Sequence, residues 1–252
     1  MTPEEVAMLI LTIPLLITMA AAVIPAIYLL RYIFKQDRLE KEPTGLILKL
    51  VILGIVSTLC ALFTESVGMS LLANTFHNES LAYKVLLNYV VIALSEEGFK
   101  YLVLKRATWK NPNFNCQFDA VVYAVSVSLG FALWENIQYV FSYGLMTALV
   151  RAFTAVPGHA CFGVLMGAWY GLAKKREGMG ELEKSKNLKR MAVLMPVIAH
   201  GTYDLCASAA SYIGTIIFFV VIIVLFYICR NLVKALSESD NYLNNQEDFY
   251  YK

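Results

Sequence analysis

The sequence predicts an all-α fold, a polytopic bundle of about seven transmembrane helices, on three observations. Of 252 residues, 58% are hydrophobic and 16% charged, and the mean hydropathy is +0.59, well above a soluble domain of this size. Apolar runs of roughly the 20 residues that cross about 30 Å of hydrocarbon recur along the chain. The Lys and Arg residues fall in short clusters between those runs. A net charge of +2 spread in this way forms no basic stripe, so nucleic-acid binding is excluded.

The expected spans are 6–34, 46–73, 81–104, 118–141, 148–173, 191–210 and 213–229. The first starts close to the N-terminus but is too long for a signal-peptide core and lacks a basic leader, so it reads as a retained span. Of 21 Lys and Arg, 18 lie in four segments, Arg31 to Lys49, Lys105 to Lys110, Lys174 to Arg190 and Arg230 onward. Those segments alternate onto one side, which predicts an outside N-terminus and a cytoplasmic C-terminus. Residues 1–236 read as one integral-membrane domain, and the acidic tail 237–252, which lacks an apolar period, as disordered. The localisation that follows is a cell membrane crossed several times.

Pro14, Pro25, Pro157 and Pro196 lie within these spans, where a proline kinks a helix and frees a carbonyl. Gly163, Gly167 and Gly171 recur at four-residue spacing, a pattern for close helix packing. Cys60, Cys116, Cys161, Cys206 and Cys229 are scattered and odd in number, without CxxC spacing, so they form no disulfide framework and no metal-ligand motif.

The chemistry concentrates in residues that lipid cannot solvate. Ser95-Glu96-Glu97-Gly98-Phe99-Lys100 sits inside the third apolar run, and a charge at the bilayer centre costs about 2.5 to 3.5 kcal/mol unless it is matched or used. Lys100 is three and four residues from the two acids, so either can pair with it on one helical face. Two adjacent carboxylates in a low dielectric do not both ionise freely, an arrangement suited to general acid/base work. A structural Glu-Lys pair is the plainer reading.

Glu135 and Asn136 must face the bundle, and Glu135 could serve Arg151 or Lys100 as readily as catalysis. His159 follows Pro157-Gly158. His200 stands four residues before Asp204, which can orient its ring. Glu65 reads as interfacial, near the outer end of the second span, and Asp119 as lying at the cytoplasmic mouth.

The ordered set Glu96-Glu97-x-x-Lys100, Phe131-x-x-x-Glu135-Asn136, Pro157-Gly158-His159 and His200-x-x-x-Asp204 resembles the PrsW family of intramembrane proteases, related to the CAAX-prenyl proteases and bacteriocin-processing enzymes. The resemblance extends to Asp37-Arg38-x-Glu40, Pro43, Phe118-Asp119-Ala120 and Gly130-Phe131-Ala132. It implies a glutamate-dependent peptidase acting on single-span membrane proteins in the bilayer, with anti-sigma factors as the substrate type. Glu96 or Glu97 would be the base. His200, oriented by Asp204, would stabilise the oxyanion or share the proton transfer, and His159 and Glu135 would complete the water site. Lys100, Asn136 and Phe131 would support it. The prenyl proteases carry histidine in place of Glu135 and commonly asparagine in place of Asp204, so Asp204 is assigned to orienting His200.

No cofactor is expected. Zinc on Glu96, His159 and His200 is the alternative within the enzyme reading, without an HExxH motif to support it. A proton- or ion-coupled transporter using the same buried relay is the alternative outside it. A scaffold whose charges only pair helices is the third. Oligomeric state is not legible.

Overall fold

The computed structural model describes residues 2–77, 80–209 and 211–243. The chain folds as α1 (Pro3–Gln36), α2 (Thr44–Thr75), α3 (Leu81–Val85), a π-helical segment (Leu86–Ala93), α4 (Leu94–Thr108), α5 (Asp119–Tyr143), α6 (Leu145–Phe153), α7 (Ala155–Gly178), α8 (Leu182–Ala207) and α9 (Tyr212–Glu238). Among the described residues no strand forms, only an isolated bridge between Cys116 and Tyr242. The all-helical expectation holds. Five helical stretches, within Leu15–Gln36, Thr44–Thr75, Asp119–Tyr143, Leu145–Gly178 and Tyr212–Glu238, are long and apolar enough to cross a membrane. The unbroken run from Leu81 to Thr108 and α8 are of similar length and carry Glu96, Glu97, Lys100, His200 and Asp204.

The bundle is built around α5, which is buried almost continuously from Asp119 to Ala132. On one side α7 lies against it, and there the glycine stripe sets the distance. A Cβ on Gly167 would stand 2.5 Å from Val121 Cα, and one on Gly171 2.5 Å from the Gln117 carbonyl. On the other side Gly54 of α2 and Gly130 of α5 meet reciprocally, each pressed on the opposite backbone, at Val127 and Val51. Membrane helices have no hydrophobic drive to associate, so such close backbone contact is what holds them. The peripheral α9 is only 17% buried over its apolar window, as a lipid-facing helix requires.

Three local features differ from the sequence reading. The span expected over 148–173 is broken at Thr154 into α6 and α7. Pro157 therefore falls in the first turn of α7, where its missing N–H is not needed, and does not kink a continuous helix. The third span contains the π segment, where the N–H of Leu94 reaches the carbonyl of Tyr89. The tail is held as far as Leu243: Asp240 accepts the N–H of Phe118 at 2.9 Å, and Leu243 N–H donates to Asn115 at 2.7 Å. The rest of the expected disorder, 244–252, lies outside the described residues.

At the end of the bundle carrying the basic loops, Phe114 stacks on Tyr170 with centroids 5.5 Å apart, and Trp109 meets Tyr170 edge-on at 4.9 Å. This aromatic plug closes α4, α5 and α7 together.

The glycine contacts make a direct prediction. Gly167→Val drives a branched side chain into the backbone of α5 and lowers stability by about 3 kcal/mol or more, at or above the usual range for overpacking. Gly45→Ala, where nothing lies within 4 Å, leaves it unchanged. Thermal unfolding of the detergent-purified variants measures both, and an unchanged midpoint for Gly167→Val would mean that α5 and α7 do not touch there.

Candidate active site

Five helical segments bring the buried polar residues to one place. Glu96, Glu97 and Lys100 come from the first two turns of α4, Phe131 and Glu135 from α5, Arg151 from α6, His159 from α7, and His200 and Asp204 from α8. Lys100 is completely buried, and its ammonium is the centre of the group. Nζ donates to Glu97 Oε1 at 2.7 Å and Glu96 Oε2 at 3.1 Å, and lies 3.1 Å from His159 Nδ1. The ammonium also lies against the Phe131 ring, 4.0 Å from its centroid, a cation–π contact strengthened by the absence of water.

An ammonium has only donors, so Nδ1 of His159 must accept. Its Nε2 then carries the proton and donates to Glu135 Oε2 at 2.8 Å. Ser128 further fixes this helix by donating to the His159 carbonyl at 2.6 Å. His200 faces carboxylates at both nitrogens, Glu97 Oε1 at 2.9 Å from Nδ1 and Asp204 Oδ2 at 3.3 Å from Nε2. The Glu97 contact is a hydrogen bond, whereas Asp204 stands at ion-pair distance without one. Phe162 stacks on it with centroids 4.5 Å apart.

The site opens into a cavity of about 430 Å³. Its wall includes Glu96, Glu135, His159, His200 and Asp204, but not Glu97. Adjacent glutamates thus have different surroundings. Glu97 Oε1 is shared by Lys100 and His200 inside the protein, while Glu96 meets the cavity and keeps one short partner, Lys100.

Glu135 takes both roles that the sequence left open, accepting from His159 and pairing with Arg151 Nη2 at 3.0 Å. Asn136 does not line the cavity. It donates to the Ala22 carbonyl of α1 at 2.9 Å and accepts from Arg151 Nε at 3.0 Å, so it anchors the arginine. Glu65, read as interfacial, is a correction: it lines the same cavity from α2, because an acid on the inward face of a helix turns to the polar interior. Tyr89 was missed. Its hydroxyl lies 2.8 Å from Thr202 Oγ1 and its ring fills the space a side chain at Gly201 would take, 2.5 Å from that Cβ. Arg151, an isolated arginine in an apolar stretch, was the signal for its own role.

The donor atoms of Glu96, Glu97 and His159 lie within 4.8 Å of one another, a spacing that could hold a metal ion. Lys100 Nζ, however, already makes a contact of 3.1 Å or less with each of the same three residues. Two carboxylates and an imidazole are a sound zinc set, but with the ammonium among them the set does not fit an ion. Lys100 would have to leave first.

Carboxylates and imidazoles grouped on a polar cavity inside a bundle of membrane helices define a membrane-embedded hydrolase. The chain belongs to the PrsW family of intramembrane metalloproteases, whose sequence model matches residues 42–229. It is similar to Protease PrsW of Oceanobacillus iheyensis, 36% identical over 186 residues that cover 74% of this chain and 80% of that one. Protease PrsW of Geobacillus kaustophilus is 34% identical over 73% and 77%, and that of Clostridioides difficile 30% identical over 91% and 93%. No solved structure matches the chain significantly. The protein is therefore a multi-pass protease of the cell membrane, and the transporter reading goes no further.

Removing the central charge tests the arrangement. Lys100→Met leaves Glu96 and Glu97 buried without the ammonium they share and costs about 3 to 5 kcal/mol. Adding Glu97→Gln to it recovers part of that loss. A double variant no more stable than the single one, read by thermal unfolding, would mean that the pair is not coupled as drawn.

Proposed function

We propose that the protein is a glutamate-dependent endopeptidase that hydrolyses a peptide bond of a membrane-anchored protein. The observation that carries this reading is the unequal exposure of the two glutamates: Glu96 borders the cavity and Glu97 does not. Glu96 is then the base. It takes a proton from a water in the cavity as the oxygen attacks the scissile carbonyl, and returns that proton to the nitrogen as the C–N bond breaks.

The negative charge that develops on the carbonyl oxygen faces a cationic wall. His200 Nε2, which faces Asp204 at 3.3 Å without a hydrogen bond to it, is the donor freest to turn to an oxyanion. Asp204 and Glu97 hold the ring between them. His159, engaged at both nitrogens, relays the position of Lys100 to Glu135 and Arg151. Anti-sigma-factor-like single-span proteins remain the substrate class, supported by a cavity that lies within the bundle. All seven long helical stretches cross the membrane in this reading, with the basic loops in the cytoplasm.

No step uses a metal ion, since Lys100 stands among the three donors that would hold it. Chelation accordingly leaves hydrolysis unchanged, and stoichiometric zinc whose removal abolishes activity would overturn the metal-free scheme.

Proteome-wide N-terminal profiling of membranes expressing wild type or variants at matched level is the main test. Glu96→Gln lowers cleavage by about 10²- to 10⁴-fold, the range for loss of a general base, with the protein still folded. Glu97→Gln lowers the melting temperature as well as activity. Equal loss of cleavage in both variants with unchanged stability would contradict the division of labour.

A further inference from the structure

A second group of acids gathers away from the cavity, where α1 ends, α2 and α5 begin and α9 gives way to the tail. Asp37, Glu42 and Asp119 are 1%, 3% and 0% exposed, and Asp240 is beside them. They include acids of the Asp37-Arg38-x-Glu40 and Phe118-Asp119-Ala120 segments, for which the active site has no use.

Most of these side chains spend one oxygen on the protein. Asp119 Oδ2 accepts the N–H groups of Asn115 at 3.0 Å and Cys116 at 2.7 Å. Asp240 Oδ1 accepts those of Phe118 and Asn241, both at 2.9 Å. Glu42 Oε2 accepts the Tyr123 hydroxyl at 2.5 Å. The second oxygens, Asp119 Oδ1, Asp240 Oδ2 and Glu42 Oε1, are buried with no hydrogen-bond donor, as is Asn115 Oδ1, and Asp37 has neither oxygen engaged.

The basic residues of the loop compensate only in part, Lys41 acting on the Asp37 carboxyl by charge without a hydrogen bond to it. Lys41 Nζ donates to the backbone carbonyls of Phe34 and Asp37, and Arg38 reaches Glu238 at 3.9 Å. A buried polar oxygen without a donor is rare, and a buried carboxylate without one is rarer. Glu42 and Asp119 are close enough for a hydrogen bond between their carboxyls, and with six such oxygens in one place a ligand that is positive and accepts only oxygen fits the group.

We propose that Asp37, Glu42 and Asp119, with Asp240 and Asn115, bind a partly hydrated divalent cation of the Mg²⁺ type that ties the ends of α1, α2, α5 and α9 together. An all-oxygen set with no nitrogen or thiolate donor selects a hard ion. The acids are not drawn together as tightly as Glu96, Glu97 and His159, and Mg²⁺ keeps several of its waters. Burial, reinforced by the neighbouring acids, pushes the Asp37 carboxyl up to about 6 and that of Glu42 up to about 7, a repulsion that an ion relieves. The site is on the side that the basic loops assign to the cytoplasm.

The test uses the full-length protein in detergent, stripped with EDTA, with Mn²⁺ as a paramagnetic probe. Wild type binds one Mn²⁺ per chain, displaced by Mg²⁺, and its melting temperature rises by about 5 °C at saturating Mg²⁺. Asp37→Asn loses the Mn²⁺ signal and the rise, yet in EDTA melts no lower than wild type, because a neutral amide removes like-charge repulsion. Glu42→Gln behaves alike, which covers a failure of the first variant to fold. Glu96→Gln keeps the signal, separating this site from the cavity. Absence of Mn²⁺ binding to wild type, binding lost with Glu96→Gln but kept in Asp37→Asn, or a rise with Ca²⁺ alone would each overturn the proposal. None of these readouts depends on hydrolysis, so their failure leaves the peptidase reading standing.

Discussion

The ammonium of Lys100 is the constraint on which the site depends. It touches Glu96, Glu97 and His159 at once, and without it two adjacent carboxylates would face each other in a medium of low dielectric. Desolvating such a cation is expensive, and attraction to the carboxylates offsets that only when every direction is satisfied. Here the three N–H groups meet two oxygens and an imidazole nitrogen, and the face of Phe131 adds a cation–π contact. The lysine therefore fixes α4 against α5 and α7, and through the oxygen that Glu97 shares with His200 it fixes α8 as well.

That electrostatic centre can form only because the surrounding backbones approach closely. Glu135 and His159, 2.8 Å apart at their side chains, are on helices joined by the glycine stripe of α7, where one methyl group at Gly167 would already press on the backbone of α5. Packing and charge thus depend on each other. The small residues give the helices their spacing, and the polar group, which lipid would not solvate, gives them a reason to stay. The Asn136 bond to the Ala22 carbonyl extends the same logic to α1, whose contact with α5 positions Arg151.

Much of this was legible in the sequence, and the limits of what was legible are physical. Apolar length and the pattern of basic clusters gave the helices, because hydrocarbon thickness and burial act on every residue of a span. The spacing of Glu96, Glu97 and Lys100, and of His200 and Asp204, gave local pairs, because helix periodicity fixes which neighbours share a face. Contacts between helices had no such ruler. Glu65 was misread because its height along α2 says nothing of the direction it faces. The break at Thr154 was hidden because an apolar run does not record where one residue's backbone angles leave the helix, here φ −119° and ψ −72°. The docking of Asp240 on Phe118 joins residues 122 apart in sequence, which composition alone reads as a loose tail.

The π segment explains how two neighbouring glutamates come to differ. One added residue in a helix turns everything after it by about 100°, and the added turn here ends at Ala93, three residues before Glu96. Adjacent helical positions also diverge by about 100°, so only one of the two acids can face the cavity, and the phase of the helix decides which. Tyr89, inside the segment, sets that phase by resting against Gly201 and bonding Thr202 on α8. A helix without the bulge would carry Tyr89 or the glutamates out of register with His200. The irregular turn is therefore part of the active site's geometry, although none of its residues is charged.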